Sequence, residues 1–256
     1  MQLIVLGSGT AVPHPRRTSA AYWLQASGGN VLLDFSVSAM DRMMAEGLNW
    51  PELDAIWISH FHLDHCGGLP PFLFGVRYSE EMKNRKKPLR IFGGPGLKKL
   101  VQGFNDLNDY KLFEQPFPLE IVEIEPLEKF EIAPGLDAVA MKTPHTDESY
   151  AIHLRDADDS TLVYTADTGF DEKIANFARK VDLLVIESSF PKDKPGDNHL
   201  EFAETMFIVR KAEPKRAMVT HLYPYWDGID LAAEAQKYSP RCEVLEAKDG
   251  LRVDIP

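Results

Sequence analysis

The chain has 256 residues, 44% hydrophobic and 26% charged, with a formal net charge of −11. That length lets one large domain, expected over residues 1–256, bury its core without staples. The acidic balance argues against general binding to nucleic-acid backbones, which needs a basic surface. Two cysteines, Cys66 and Cys242, cannot make a disulfide framework and fit a reducing compartment. No apolar run approaches the ~20 residues of a membrane span. The opening Met1-Gln2-Leu3-Ile4 lacks the basic region of a signal peptide, so a cytoplasmic protein is expected.

In chain order, residues 3–6 read as a strand closed by Gly7-Ser8-Gly9-Thr10, too little for a dinucleotide loop. Residues 11–17 read as a solvated loop with His14 and two arginines. Segments 20–25 and 30–35 suggest a hairpin, with Asp34 as a turn cap or as a carboxylate orienting a ligand histidine. A helix is expected over 38–47 with Met40, Met43 and Met44 in the core. The buried strand 53–58 then leads into Ser59-His60-Phe61-His62-Leu63-Asp64-His65-Cys66-Gly67-Gly68, with Cys66 a small buried filler. The charge-rich stretch 78–88 reads as a solvated, mobile loop, or as a lid. Strand 89–92, a glycine turn and helix 97–104 follow, and residues 105–118 are irregular and able to cover a pocket. Further strands are expected at 119–124, 136–141, 161–165, 181–186 and 216–220, with helices at 171–180, 200–212 and 230–238. This alternation argues a layered α/β fold, in which groups at the carboxyl ends of strands converge on one rim.

Those strand ends carry the chemistry. His60, His62, Asp64 and His65 lie within six residues, and His145, Asp167 and His221 each follow a later strand. Imidazoles and carboxylates are the ligands of zinc, iron and manganese. Seven such groups exceed one tetrahedral ion but suit two ions sharing a carboxylate. The natural division gives His60, His62 and His145 to one ion and Asp64, His65 and His221 to the other, with Asp167 bridging. A zinc ion lowers the pKa of its water to about 7, and two ions about 3.5–4 Å apart steady both attacking and leaving oxygens. Asp64 could orient that water and take its proton. The reaction class is hydrolysis of a polarised ester-like bond. Of the other histidines, His153 reads as a satisfied strand residue.

The pattern His60-x-His62-x-Asp64-His65, followed by His145, Asp167 and His221, resembles the metallo-β-lactamase superfamily. That resemblance implies an α/β four-layer αββα sandwich with two divalent metal ions, usually Zn2+, with Mn2+ or Fe as alternatives. His62 favours the hydrolytic branch, since diiron flavoprotein relatives carry Glu there. Leu6-Gly7-Ser8-Gly9-Thr10-Ala11, Leu32-Leu33-Asp34, the turn Gly93-Gly94-Pro95-Gly96 and Asn198-His199 are similar to the tRNase Z and small-phosphodiesterase branch. There, His199 is implied as the general acid; the alternative is a solvated residue at a helix start. Two departures stand out. The segment between His145 and Asp167 is too short for the tRNA-binding arm, and Ile186-Glu187-Ser188-Ser189 lacks the histidine of the family's His-Glu-Ala-Thr motif. The expectation is therefore a phosphodiesterase acting on a small or cyclic phosphodiester. Alternatives are a lactonase or thioesterase, a tRNA 3′-processing endoribonuclease, and a metal-binding scaffold without activity. The expected partner is a small-molecule phosphoester or ester; nucleic acid is not favoured, no membrane is expected, and a homodimer is suggested by analogy alone.

Overall fold

A computed structural model describes residues 1–256. The first sheet contains β1 (Gln2–Gly7), β2 (Ala21–Ala26), β3 (Gly29–Leu33), β4 (Leu53–Ile58), β5 (Leu89–Gly93) and β6 (Leu119–Glu123). The second contains β7 (Lys129–Ala133), β8 (Leu136–Lys142), β9 (Tyr150–Arg155), β10 (Thr161–Tyr164), β11 (Leu183–Glu187), β12 (Arg216–Thr220) and β13 (Glu243–Glu246). A last strand, β14 (Arg252–Asp254), returns to the first sheet, giving the orders β14-β1-β2-β3-β4-β5-β6 and β13-β12-β11-β10-β9-β8-β7.

Side chains alternate across each strand. Leu3, Val5, Ala55, Trp57, Leu183 and Val185 meet between the sheets, whereas Ile4, Leu6, Ile56, Ile58, Leu184 and Ile186 face outward into apolar layers of their own. Strands buried on both faces need cover on both sides. Helices α1 (Ala39–Ala45), α2 (Leu63–Cys66), α3 (Leu69–Val76), α4 (Glu80–Lys83) and α5 (Leu97–Asp106) lie on the first sheet's side, where Met43, Phe72, Leu73, Met82 and Val101 seal the outer face. Helices α6 (Lys173–Phe177), α7 (Phe202–Ala212) and α8 (Leu231–Gln236) cover the second through Ile174, Met206, Val209 and Leu231. The result is the four-layer αββα sandwich. Strands β3 to β6 run parallel, as do β10 to β13, so several carboxyl ends share a rim. No helix is long and apolar enough to cross a membrane.

Several expectations need correction. The 78–88 stretch is pinned rather than free: Met82 and Arg85 are buried, and Arg85 donates to the Pro51, Leu53 and Pro88 carbonyls while its guanidinium lies over Phe117. Five carbonyl-seeking donors on one side chain outweigh the polarity of the surrounding sequence. Met44 is 58% exposed, not core. In the 11–17 loop, Arg17 is buried and bonds Asp227 at 2.7 Å, and His14 meets the same carboxylate at 3.0 Å. The Gly7-Ser8-Gly9 turn serves packing. A Cβ on Gly7 would fall 1.9 Å from the Ser19 carbonyl oxygen, and the Ser8 hydroxyl donates to Asp249. Strands β7, β13 and β14 carried no clear sequence signal, and the helix expected over 171–180 contracts to Lys173–Phe177.

Candidate metal centre

Three strands end at the site in a left-handed backbone on a non-glycine residue: Asp34 (φ 59°) after β3, Ala166 (φ 52°) after β10 and His221 (φ 56°) after β12. Such conformations strain an L-residue and persist where the surroundings over-determine them. Here the bends set the side chains of Asp34 and His221 themselves, and of Asp167 after Ala166, toward the site. His60 and His62 follow β4, and the single turn of α2 places Asp64 and His65 beside them. His145 follows β8, Asp167 follows β10 and His221 follows β12.

The side chains converge in three groups linked through Asp167 and His221. Ligand atoms of His60, His62, His145 and Asp167 all lie within 4.8 Å of one another, as do those of Asp64, His65 and His221 and those of Asp167, His199 and His221. His62 Nδ1 is 3.1 Å from both His60 Nε2 and His145 Nε2. Asp167 stands between the groups. Its Oδ2 is 3.8 Å from His60 Nε2, 3.7 Å from His145 Nε2 and 3.3 Å from His221 Nε2, and its Oδ1 is 3.3 Å from His65 Nε2.

The outer ring nitrogens are already engaged. His65 Nδ1 meets Asp34 at 2.7 Å, His145 Nδ1 donates to the Asn198 carbonyl at 2.7 Å, and His221 Nδ1 lies 3.0 Å from Ser189 Oγ. That fixes each ring with Nε2 pointing inward. The inward atoms face one another without a well-aligned hydrogen bond: His65 Nε2, His221 Nε2 and Asp167 Oδ1 are buried and no partner meets them in good geometry. Buried polar atoms are seldom left so. Orphaned nitrogens and a carboxylate oxygen facing one small space are the donor set a divalent cation takes up, and these residues fit one.

The electrostatics agree. Burial and the neighbouring His65 push the His60 pKa far down, and burial lowers that of His145, so both rings are neutral and able to ligate. Burial opposes charge on His65 and on Asp167. Yet Asp167 and Asp34 hold the His65 pKa well up, while His221 and His65 hold that of Asp167 well down. A cation held there would take the place of the His65 proton.

Asp34 is the hub behind these residues. Fully buried, it accepts from the Ser59 amide and hydroxyl (both 2.8 Å), meets His65, and accepts from the Tyr164 hydroxyl at 2.6 Å. Of its two sequence readings, the one that orients a histidine describes what it touches. Cys66 is buried, its thiol pushed up to about 12 by burial, and it donates to the Phe61 carbonyl. His153 sits in β9 against Phe177, away from the cluster.

His199 belongs to the cluster's edge, not to solvent: its side chain is 13% exposed and Nδ1 lies 3.9 Å from Asp167 Oδ2. The same nitrogen is 2.9 Å from Glu187 Oε1. Sequence reasoning missed Glu187 as part of the site, although its position as a carboxylate at the end of β11 was a usable signal. Glu187 also accepts from the Thr168, Ser189 and Leu200 amides and the Ser189 hydroxyl. Burial disfavours a charged His199, but the Glu187 bond and charge prevail and raise its pKa to about 9. Beside it rises an aromatic wall. Phe190 stacks on Tyr223 with centroids 5.0 Å apart, Tyr225 leans on Phe190, and Tyr223 is 6.2 Å from the His199 ring.

A centre so built, with a histidine held by a carboxylate beside it, can hydrolyse polar bonds. Known proteins are similar to this chain over nearly its whole length. The chain is 23% identical to the probable metallo-hydrolase YhfI of Bacillus subtilis across 98% of both chains, and the crystal structure of YhfI superposes with a TM-score of 0.81 over 98% of each. It is 26% identical to ribonuclease Z of Metallosphaera sedula, covering 96% of this chain and 97% of that one. A diphosphatase from the PhnP family matches with a TM-score of 0.74 and 21% identity, over 100% of this chain and 98% of the other. The metallo-β-lactamase fold and a metallo-hydrolase ancestry are thereby established. Residues 1–239 match the model of the Anti-Pycsar protein Apyc1 family, and the chain belongs to that family.

Proposed function

We propose that this metallo-hydrolase is a phosphodiesterase acting on a small or cyclic phosphodiester. In this reading His60, His62 and His145 hold one divalent ion, most simply Zn2+, Asp64, His65 and His221 hold a second, and Asp167 lies between them. When bound, such ions acidify a water and offset the charge of a phosphoryl group. The protein's own groups do the rest. Asp64, whose carboxylate Oδ2 lies 3.6 Å from the Nε2 atoms of His65 and His221, orients the water and accepts its proton. Asp34 keeps His65 in one tautomer and one orientation. His199, protonated at neutral pH, gives its proton to the departing oxygen, and Glu187 holds the ring in place through Nδ1.

The observation that carries the reading is the buried Glu187–His199 pair beside Asp167. An alkoxide leaving from phosphorus needs a proton, so a prepositioned acid favours alkyl phosphodiesters over esters with better leaving groups. Names among the relatives, ribonuclease Z and diphosphatase, denote cleavage of bonds to phosphorus and support it. A tRNA substrate is less well served. Between His145 and Asp167 the chain makes only β9, β10 and their turn, with no projecting arm. The opening Gly7-Ser8-Gly9-Thr10 segment no longer contributes, since Ser8 and Thr10 are buried in packing roles.

The test is a panel with metal-loaded protein: bis(p-nitrophenyl) phosphate, 2′,3′- and 3′,5′-cyclic nucleotides, acyl lactones and precursor tRNA. Turnover of the small phosphodiesters is expected. Lactone turnover without phosphodiester turnover would sink the reading.

A further inference from the structure

Lys194 is unusual for a lysine in a surface segment. Its side chain is only 13% exposed. Its Nζ donates to Glu204 Oε1 at 2.9 Å and to the His199 carbonyl at 3.1 Å, and lies 3.8 Å from the Asp197 carboxylate. An ammonium has three donors. With these acceptors around it, Lys194 is not free to meet a substrate.

What it grips matters. Glu204 lies in the first turn of α7 and also accepts from the Glu201 amide, closing a capping box, so it is a fixed post. On the other side, the 190–199 segment serves the site twice. Its His199 ring meets Glu187, and its Asn198 carbonyl accepts from His145 Nδ1. The segment also presses on the turn that follows Asp167, where a Cβ on Gly169 would fall 2.0 Å from the Asp197 carbonyl oxygen. Lys194 grips the carbonyl of residue 199 itself, so its loss is felt first at the His199 ring, while Asn198 keeps its own bond from His145.

We propose that Lys194 is a positioning residue: it ties the 190–199 segment to the first turn of α7, so that His199 stays on the leaving-group side. The proposal rests on the phosphodiesterase reading, and specifically on His199 as the acid. A lysine that merely strengthened the loop would affect all substrates alike. One that aims the acid affects substrates according to their need for a proton.

Metal-loaded wild type, Lys194→Met, Glu204→Gln and His199→Ala are compared on a 3′,5′-cyclic nucleotide, which expels an alkoxide, and on bis(p-nitrophenyl) phosphate, which does not need an acid. Lys194→Met is expected to lower kcat on the cyclic nucleotide about 10–100-fold, the scale of a misplaced catalytic group. On bis(p-nitrophenyl) phosphate its kcat should stay within about 3-fold, as expected where no general acid is needed. Glu204→Gln keeps the capping box, which accepts Gln, but removes the charge facing Lys194. It should show the same split, smaller, and it decides the matter if Lys194→Met does not fold. Equal losses on both substrates, or no loss, would overturn the proposal. If His199→Ala splits the substrates and neither other variant does, only the positioning role fails; if His199→Ala shows no split, the general-acid reading falls and this inference with it.

Discussion

Replacing Glu187 by Gln isolates the charge that holds His199. In the wild type, burial alone would favour the neutral ring. The Glu187 bond at 2.9 Å and its charge reverse that and raise the His199 pKa from the ordinary 6.5 to about 9. At about 1.4 kcal/mol per unit, that is roughly 3 kcal/mol favouring the charged ring in the fold. Because the folded value lies above the unfolded one, this stability is fully present below pH 6.5 and disappears as pH rises through about 9. The amide adds a second loss. Both Glu187 oxygens accept from donors, so the NH2 group of Gln must face an amide and leave it unpaired, at about 1–3 kcal/mol. At pH 7 the variant should melt roughly 8–24 °C lower, at about 2–4 °C per kcal/mol for a chain of this size. The gap should narrow by pH 10 to the hydrogen-bond part. In kinetics, bound cations repel the imidazolium, so the alkaline limb of kcat/KM on a cyclic nucleotide falls below about 9 in the wild type. It should move down by about a unit or more in Glu187→Gln, again at ~1.4 kcal/mol per unit. The assays are thermal melts at the two pH values and a pH–rate profile. An unmoved limb, or a melting gap that does not narrow with pH, refutes the assignment of His199 as an acid held charged by Glu187.

Other consequences are open to direct measurement. Asp34→Ala orphans Ser59, His65 and the Tyr164 hydroxyl at once; titration calorimetry should show metal affinity about 10–100-fold weaker, with a melting loss beyond that of a surface substitution. Chelation with EDTA should lower the melting temperature reversibly, because His65 Nε2, His221 Nε2 and Asp167 Oδ1 lose their only partner. At a metal concentration of 100 Kd the difference is about 2.7 kcal/mol, and a melting temperature indifferent to EDTA and added Zn2+ would count against the centre. Arg85→Met should cost roughly 3 kcal/mol by leaving buried carbonyls unpaired while kcat/KM stays at the wild-type value; a selective loss of activity would revive a lid role for 78–88. Ala166→Gly should change stability by no more than about 1 kcal/mol, since relief of the left-handed strain offsets the freedom glycine gains in the unfolded chain.

The convergence of the candidate ligands was legible because their chemistry is local in type and repetitive in place: histidines and aspartates stand where apolar runs stop, at 60–65, 145, 167 and 221. The doubly buried strands announced themselves for the same reason, as continuous apolar runs such as residues 183–186. What surrounds the ligands was harder to read. Glu187 gains its importance only from partners at 168, 189, 199 and 200, brought together by the fold. Arg85 and Arg17 looked like surface charge because a one-dimensional pattern cannot reveal a carbonyl cage or a distant Asp227. The edge strands β13 and β14, of four and three residues, are too short to show a period. Nor did any residue type mark Asp34, Ala166 and His221 as left-handed, a conformation usually signalled by glycine.

Those three bends bear on how the centre comes to be ready. If rotamers alone aimed the ligands, metal capture would have to order several side chains, and affinity would suffer by that lost freedom. A bend in the backbone settles the aim during folding, before any ion arrives. The rim is thus preorganised at a small standing expense in stability. It also narrows what substitution can reach: a β-branched residue at 34, 166 or 221 would meet the left-handed backbone as an obstacle even where its side chain had room. Variation that retunes this enzyme should therefore gather in the loops around the rim and leave the three pivots alone.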